Sequence, residues 1–336
     1  MKVAFFDTKP YDKLWFDPMA KESDIKIKYF ENKLNDDTAV MAKGYDAVCV
    51  FVNDTINAQV IAILAQIGVK LIALRCSGYN NVDFKAAKEH NIKVVRVPSY
   101  SPSAVAEHTA ALLLAVNRKT HKAYIRTKDS NFNINGLLGF DLAGKTAGII
   151  GTGQIGRMFI DICRGFKMQV IAYDLYPKEN SGIDYVTLDE LFKRSHVISL
   201  HCPLTKETKH LINEQTIQKM QDNVFIINTS RGALIDTTAL IEGLKSKKIG
   251  GAGLDVYEEE SEYFFEDYSN EIIEDDELAR LLAFPNVVMT SHQGFFTKEA
   301  LEAIARVTIN NLKEFENGKI TNEVVLKDNS IVEKRN

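Results

Sequence analysis

Apolar residues in the first third of the chain fall in short, nearly continuous runs, at 3–6, 25–30, 46–52, 69–74 and 92–97. Runs of this kind suit parallel strands covered on both faces, since neither side of the strand then needs polar residues. Between them the apolar spacing becomes helical, as at 57–67 and 84–90. Strands alternating with helices predict an open α/β sheet.

After Pro98 the pattern changes. Ser101, Pro102 and Ser103 form a helix start, and a long amphipathic helix is expected from Ala104 to about Lys122. Its apolar stripe through Val116 suits either a core or a subunit interface. The Gly- and Asn-rich stretch 131–144 reads as loop. A second block then predicts strands near 146–150, 170–174, 197–201, 224–228, 250–256 and 287–290. Six strands in one block match a complete doubly wound nucleotide-binding domain. The last helix, 298–317, is left over and is expected to return to the first block. The expected division is therefore 1–100 with 298–336 as one domain and 101–297 as the other. The acidic stretches 258–262 and 274–277 read as loops.

Composition adds exclusions. Of 336 residues, 45% are hydrophobic and 26% charged, enough for a full core without disulfides or metals. The 41 basic and 45 acidic residues leave a net charge of −4 without a basic stripe, so nucleic acid has no electrostatic footprint here. The N-terminal apolar run stops at Asp7, too early for a signal peptide, and no run reaches the length of a membrane span. Cys49, Cys76, Cys163 and Cys202 are widely spaced and suit free thiols in a reducing compartment. A soluble, cytoplasmic protein is expected, without a metal.

The chemistry concentrates in the second block. Gly151-Thr152-Gly153-Gln154-Ile155-Gly156 sits between the strand ending at Ile150 and a helical stretch at 157–166. In that context Gly151 permits a tight turn, Gly153 close approach of backbone to a pyrophosphate, and Gly156 close helix–strand packing. The helix start offers free N–H groups to the phosphates. Asp174 ends the next strand, 18 residues after Gly156, where a carboxylate accepts both ribose hydroxyls of NAD. A 2′-phosphate would meet a repulsion of about 4 kcal/mol at 4 Å and moderate dielectric, favouring NAD over NADP.

Three further polar groups follow strands of the same block: Asn228 to Gly232 with Arg231, Asp255 to Glu260, and Ser291 to Gly294 with His292. Ligands of open α/β sheets bind at such strand ends. His201 also ends a strand, so strand-end geometry alone leaves His292 and His201 both open as proton donors. It leaves Glu258, Glu259 and Glu260 open as partners of that histidine. His108 lies in an apolar helical pattern and reads as a satisfied core residue. His90, His121, His196 and His210 read as surface groups.

Gly151 to Gly156, Asn228 to Asp236, Gly253-Leu254-Asp255-Val256-Tyr257 and Ser291-His292-Gln293 resemble the signatures of the D-isomer-specific 2-hydroxyacid dehydrogenases. Val97 to Pro102 and the insertion from Phe264 to Asn270 are similar to its lactate-forming branch. The likeness extends over essentially the whole chain. It implies a doubly wound Rossmann domain plus a smaller flavodoxin-like α/β substrate domain, and NADH-dependent reduction of pyruvate to D-lactate in a cleft between the domains. The alternatives are a bulkier 2-keto acid, such as 2-ketoisocaproate or phenylpyruvate, or a non-catalytic NAD(H)-sensing protein on the same scaffold.

The resemblance selects His292 as proton donor, Glu260 as its carboxylate partner and Arg231 as the grip on the substrate carboxylate. Glu258 and Glu259 are then expected to be solvated. Ser77, Gly78 and Tyr100 are implied as further substrate contacts, with Phe295 and Phe296 walling the pocket. Gln154, Ile155, Cys202, Pro203, Thr208, Thr229, Ser230 and Asp255 are implied as cofactor contacts, and a homodimer or larger homo-oligomer as the assembly. The physics agrees with these roles. Hydride arriving at a carbonyl carbon leaves charge on oxygen, which a group titrating near neutrality must protonate, and histidine has that range. A guanidinium fork matches a carboxylate in a way lysine cannot.

Overall fold

In the computed structural model, which describes residues 1–327 and 330–333, the chain divides into two units. The first runs from Met1 to Ser101 and resumes at Phe296, and the second spans Pro102–Phe295.

In the first unit the apolar runs become β1 (Lys2–Phe5), β2 (Lys26–Tyr29), β3 (Ala47–Val50), β4 (Leu71–Leu74) and β5 (Lys93–Val95). They form one parallel sheet in the order β2-β1-β3-β4-β5, which is the flavodoxin-like order. Every residue of β3 and β4 is buried, whereas β2, with the sequence Lys-Ile-Lys-Tyr, lies on the edge and alternates exposed and half-buried positions. The late helix Lys298–Glu316 belongs to this unit and packs with Pro10–Glu22. The Met1 amine meets Glu316 Oε1 at 2.7 Å, and Asn311 Nδ2 donates to the Arg96 carbonyl at 2.9 Å.

The second unit contains β6 (Thr146–Ile150), β7 (Gln169–Tyr173), β8 (Asp184–Tyr185), β9 (Val197–Leu200), β10 (Val224–Asn228), β11 (Ile249–Leu254) and β12 (Val287–Met289). All are parallel, in the order β12-β11-β10-β9-β6-β7-β8. The strand order reverses between β6 and β9, the place where such sheets open a crevice for ligands. The six expected strands are present, and a seventh, β8, extends the edge by only two residues.

Two further expectations are corrected. The single helix expected from Ala104 to Lys122 is two, Pro102–Arg118 and Thr120–Lys128, because Lys119 between them adopts a left-handed conformation with φ 51°. The stripe of the first helix is core: Ala106, Ala110, Leu112, Leu113 and Val116 are buried with Ile149, Phe159 and Ile227. Neither acidic stretch is a loop throughout: Glu260–Tyr263 forms a short helix within and beyond 258–262, and 276–277 open another. Asp275 caps the helix Asp276–Ala283, its Oδ1 accepting the Glu277 and Leu278 amides at 2.9 Å. Acids suit the positive end of a helix.

Candidate active site

The glycine turn follows β6 at the crevice. A Cβ on Gly151 would stand 2.6 Å from the His201 carbonyl carbon and 2.7 Å from the Cys202 nitrogen, and one on Gly156 would stand 2.1 Å from the Gly151 oxygen. No side chain fits at either position. At Gly153, by contrast, a Cβ would meet nothing within 4 Å, and both Gly153 and Gln154 are exposed. Gly153 is the N-cap of helix Gln154–Gly165 and makes no side-chain cap hydrogen bond. An uncapped helix start with an open backbone approach fits a pyrophosphate. The helix starts three residues earlier than expected, within the glycine motif itself.

Asp174 follows β7 and is tied to this turn. Its Oδ2 accepts the Thr152 amide at 2.6 Å and the Thr152 hydroxyl at 2.9 Å, while Oδ1 accepts the Tyr176 amide at 2.9 Å. Burial alone would raise its carboxyl, but these hydrogen bonds and the nearby Arg157 guanidinium outweigh that and hold it below the usual carboxylate range. A fixed negative charge at this strand end fits the hydroxylated ribose of NAD. Across the crevice, Ser230 Oγ donates to the Cys202 carbonyl at 2.7 Å and Thr208 Oγ1 donates to the Pro203 carbonyl at 2.7 Å. Ile155 is half-buried within the first turn of the helix.

Arg231, Glu260 and His292 follow β10, β11 and β12, three adjacent strands. His292 Nδ1 lies 2.8 Å from Glu260 Oε1, and both side chains are 18% exposed. The other Glu260 oxygen accepts the Tyr257 amide at 3.0 Å. Of the three glutamates left open by spacing, the structure brings Glu260 to His292. Arg231 Nη1 donates to the Ser230 carbonyl at 2.6 Å, and the next residue, Gly232, lies against the β11 loop so closely that a Cβ there would stand 2.0 Å from the Tyr257 carbonyl. That approach seats the arginine loop beside the loop bearing Glu260.

The rival histidine separates clearly. Burial pushes the His201 imidazole down to about 3, its Nε2 meets Ser199 Oγ at 2.9 Å, and its ring packs 5.4 Å from Phe159. A ring that stays neutral at physiological pH supplies no imidazolium to act as the acid. His90 is exposed, but His121, His196 and His210 are half-buried, which corrects the expectation of surface groups. His196 Nδ1 accepts the Thr146 amide at 3.1 Å. His210 Nε2 lies 2.6 Å from Glu258 Oε1, so Glu258 is paired rather than solvated, with Thr237 Oγ1 donating to its second oxygen at 3.3 Å. Glu259 is exposed.

Sequence reasoning missed the arrangement beneath His292. Asp255 is 1% exposed, and its carboxylate accepts the Thr290 hydroxyl at 2.5 Å, the Gln293 amide at 2.9 Å and the Gly294 amide at 2.8 Å. His108, read as a core residue, is 3.2 Å from the same carboxylate. The available signal was a polar side chain within an apolar helical stripe. Thr229 is likewise turned inward, its hydroxyl 2.8 Å from that of Thr109.

In the first unit, Ser77 and Gly78 follow β4. Arg96 Nη1 reaches both the carbonyl and the hydroxyl of Ser77, the latter at 3.1 Å. Tyr100 is half-buried. Phe296 is 48% exposed and meets the edge of Tyr11 at 4.8 Å between ring centres. Phe295, the last residue of the second unit, is buried. Among the described residues, no cluster of three His, Cys, Asp or Glu is placed to hold a metal, and no helix is long and apolar enough to cross a membrane.

Comparison with known proteins adds to this geometry. Residues 110–294 match the D-isomer specific 2-hydroxyacid dehydrogenase, NAD binding domain. A D-lactate dehydrogenase of Escherichia coli is 50% identical over 97% of this chain and 100% of its own. The structure of the pyruvate reductase of Chlamydomonas reinhardtii superposes with a TM-score of 0.89 at 42% identity, covering 95% of this chain and 97% of that one. A D-2-hydroxyisocaproate dehydrogenase structure superposes with a TM-score of 0.84 at 32% identity, covering 96% and 99%.

Proposed function

The chain belongs to the D-isomer-specific 2-hydroxyacid dehydrogenases, and from that premise we propose that it reduces pyruvate to D-lactate with NADH, using His292 as the proton donor. The observation that carries this reading is the 2.8 Å pair of His292 Nδ1 and Glu260 Oε1 on a strand end adjacent to that of Arg231. NAD, when bound along the Gly151–Gly156 turn, supplies the hydride acceptor or donor. Asp174 holds the ribose, and Gln154, Ile155, Cys202, Pro203, Thr208 and Ser230 complete the cofactor contacts, while Thr229 and Asp255, whose side chains are turned into the protein, support the loops behind them.

The remaining work falls to side chains of the protein. Arg231 grips the carboxylate of the 2-keto acid through two parallel hydrogen bonds. His292 commits Nδ1 to Glu260, which leaves Nε2 to give its proton to the carbonyl oxygen as charge develops there. Glu260, itself held by the Tyr257 amide, fixes the ring's orientation. In the oxidative direction the same imidazole accepts the proton. Ser77, Gly78 and Tyr100 are the further carboxylate contacts, and Phe295 and Phe296 bound the substrate's side chain. The D configuration follows from family membership.

The proposal includes a homodimer in the cytoplasm. Tyr124, Ile125, Phe132, Ile134 and Leu138 are all more than half exposed along helix Thr120–Lys128 and the segment after it, a concentration of apolar surface that a second copy would cover. Four buried cysteines, none of them in a disulfide, suit a reducing compartment. The deciding experiment follows NADH absorbance with pyruvate, 2-ketoisocaproate and phenylpyruvate. Higher kcat/KM for pyruvate is expected; a preference above about tenfold for a larger acid would reject pyruvate as the substrate. No oxidation with any 2-keto acid would make this a sensing protein.

A further inference from the structure

We infer that His108 is a positioning residue for the proton donor: through Thr290 and Asp255 it fixes the turn that carries His292. The inference rests on the reading of His292 as the proton donor and extends it to a side chain on helix Pro102–Arg118.

His108 Nε2 lies 3.0 Å from Thr290 Oγ1 and 3.2 Å from Asp255 Oδ1. The Thr290 hydroxyl spends its one hydrogen on Asp255 Oδ1, at 2.5 Å. Its oxygen can therefore only accept, so the proton between the two residues belongs to His108 Nε2. That N–H is shared by Thr290 and the Asp255 carboxylate and fixes the tautomer of His108.

Asp255 in turn holds three successive amides of the turn. Its backbone carbonyl accepts the His292 N–H at 2.7 Å, Oδ1 accepts Gln293 N–H at 2.9 Å, and Oδ2 accepts Gly294 N–H at 2.8 Å. His292 needs this support because its backbone is left-handed, at φ 51°. A residue other than glycine keeps such a conformation only where its surroundings determine it. Asp255 meets that demand only while it remains a well-placed anion. Burial would push its carboxyl up, but the hydrogen bonds from His108, Thr290 and the Gly294 amide hold it below the usual range. Removing the His108 donor leaves a buried carboxylate short of a partner, and the turn must rearrange to supply one. The next residue on the helix braces the neighbouring loop in the same way, since Thr109 Oγ1 meets Thr229 Oγ1 at 2.8 Å, two residues before Arg231.

The test compares His108→Phe with His108→Gln in the full-length protein. Phenylalanine fills the space without a donor, whereas the glutamine amide can still donate. For His108→Phe, kcat falls about tenfold or more, the scale of a misplaced catalytic group, while NADH binding is unchanged. Hydrogen exchange of the 292–294 amides, measured without cofactor or substrate, becomes faster. His108→Gln restores most of both. Thr290→Val, which removes the hydroxyl between His108 and Asp255, reproduces the phenylalanine result and serves if His108→Phe does not fold. Wild-type kcat and exchange in His108→Phe, or glutamine as impaired as phenylalanine, would overturn the inference. If the wild-type protein oxidises no NADH with 2-keto acids, the proposed function fails, and the exchange data still decide the role of His108.

Discussion

Glu260 divides its two oxygens between a side chain and the backbone: Oε1 meets His292 Nδ1 at 2.8 Å, and Oε2 accepts the Tyr257 amide at 3.0 Å. The backbone bond immobilises the carboxylate, so the imidazole is oriented against a fixed charge. Two variants separate these roles. His292→Ala should abolish turnover with NADH binding intact, because nothing else at that strand end carries a transferable proton. Glu260→Gln keeps the shape and loses the charge, and kcat should fall by about 100-fold, within the span of general acid–base effects. Fluorescence titration with NADH and steady-state kinetics check both; wild-type kcat in Glu260→Gln would remove the carboxylate from the mechanism.

Arg231 is held from its own side of the site by the Ser230 carbonyl at 2.6 Å. Arg231→Lys retains the charge and loses the planar fork. Loss of one charge-assisted hydrogen bond, about 1.5–3 kcal/mol, corresponds to a drop in kcat/KM for pyruvate of about 10- to 100-fold. KM should rise and kcat fall, with NADH affinity unaltered. Unchanged KM and kcat would refute its role as the carboxylate grip.

The role proposed for Asp174 is discrimination by charge, so its amide should discriminate less. Asp174→Asn leaves an oxygen to accept from Thr152 and removes the repulsion of a 2′-phosphate. The ratio of kcat/KM for NADPH to that for NADH should rise by at least about tenfold, well within the ~4 kcal/mol available at 4 Å. A ratio identical to wild type would assign the selectivity to another group.

The parallel sheets were legible because buried strands leave unmistakable apolar runs, as Ala47–Val50 and Leu71–Leu74 do. Asp184–Tyr185 was not, since two half-polar residues make no pattern and become a strand only because β7 offers an edge. The break at Lys119 was hidden for a related reason: nothing in a lysine marks a left-handed backbone. In the site, the glycine turn and strand ends could be located from spacing, and the resemblance chose among histidines and glutamates. Partners that meet only through the fold stayed out of reach. Glu258 looks like one of two solvated acids until His210, 48 residues earlier, comes within 2.6 Å. His108 and Thr290 are 182 residues apart. The Asp275 cap, by contrast, was legible in principle as acids preceding an apolar helical pattern.

The first unit contains a carboxyl group whose titration should be visible in stability. Asp54 is 2% exposed; Oδ1 accepts the Leu34 amide and Oδ2 the Phe51 amide, each at 2.6 Å. Burial pushes it up to about 6, against the opposing pull of the Arg75 guanidinium and those two amides. The folded protein therefore keeps a proton that the unfolded chain releases near 3.8, the ordinary value for an aspartate. A raised folded pKa stabilises fully below the unfolded value and loses that contribution as pH rises through the folded one. From pH 4 to 6 the Asp54 contribution should thus decline, by on the order of 3 kcal/mol for two units, and level off above. Asp54→Asn cannot titrate. It sacrifices one amide acceptor at every pH, at a cost of about 1–3 kcal/mol, but it lacks the decline. Urea unfolding of both proteins between pH 4.5 and 7.5 isolates the effect, because other carboxylates cancel in the difference. The deficit of the variant relative to wild type should shrink as pH rises through 6; a deficit constant across the range would show that Asp54 is already ionised at the acidic end.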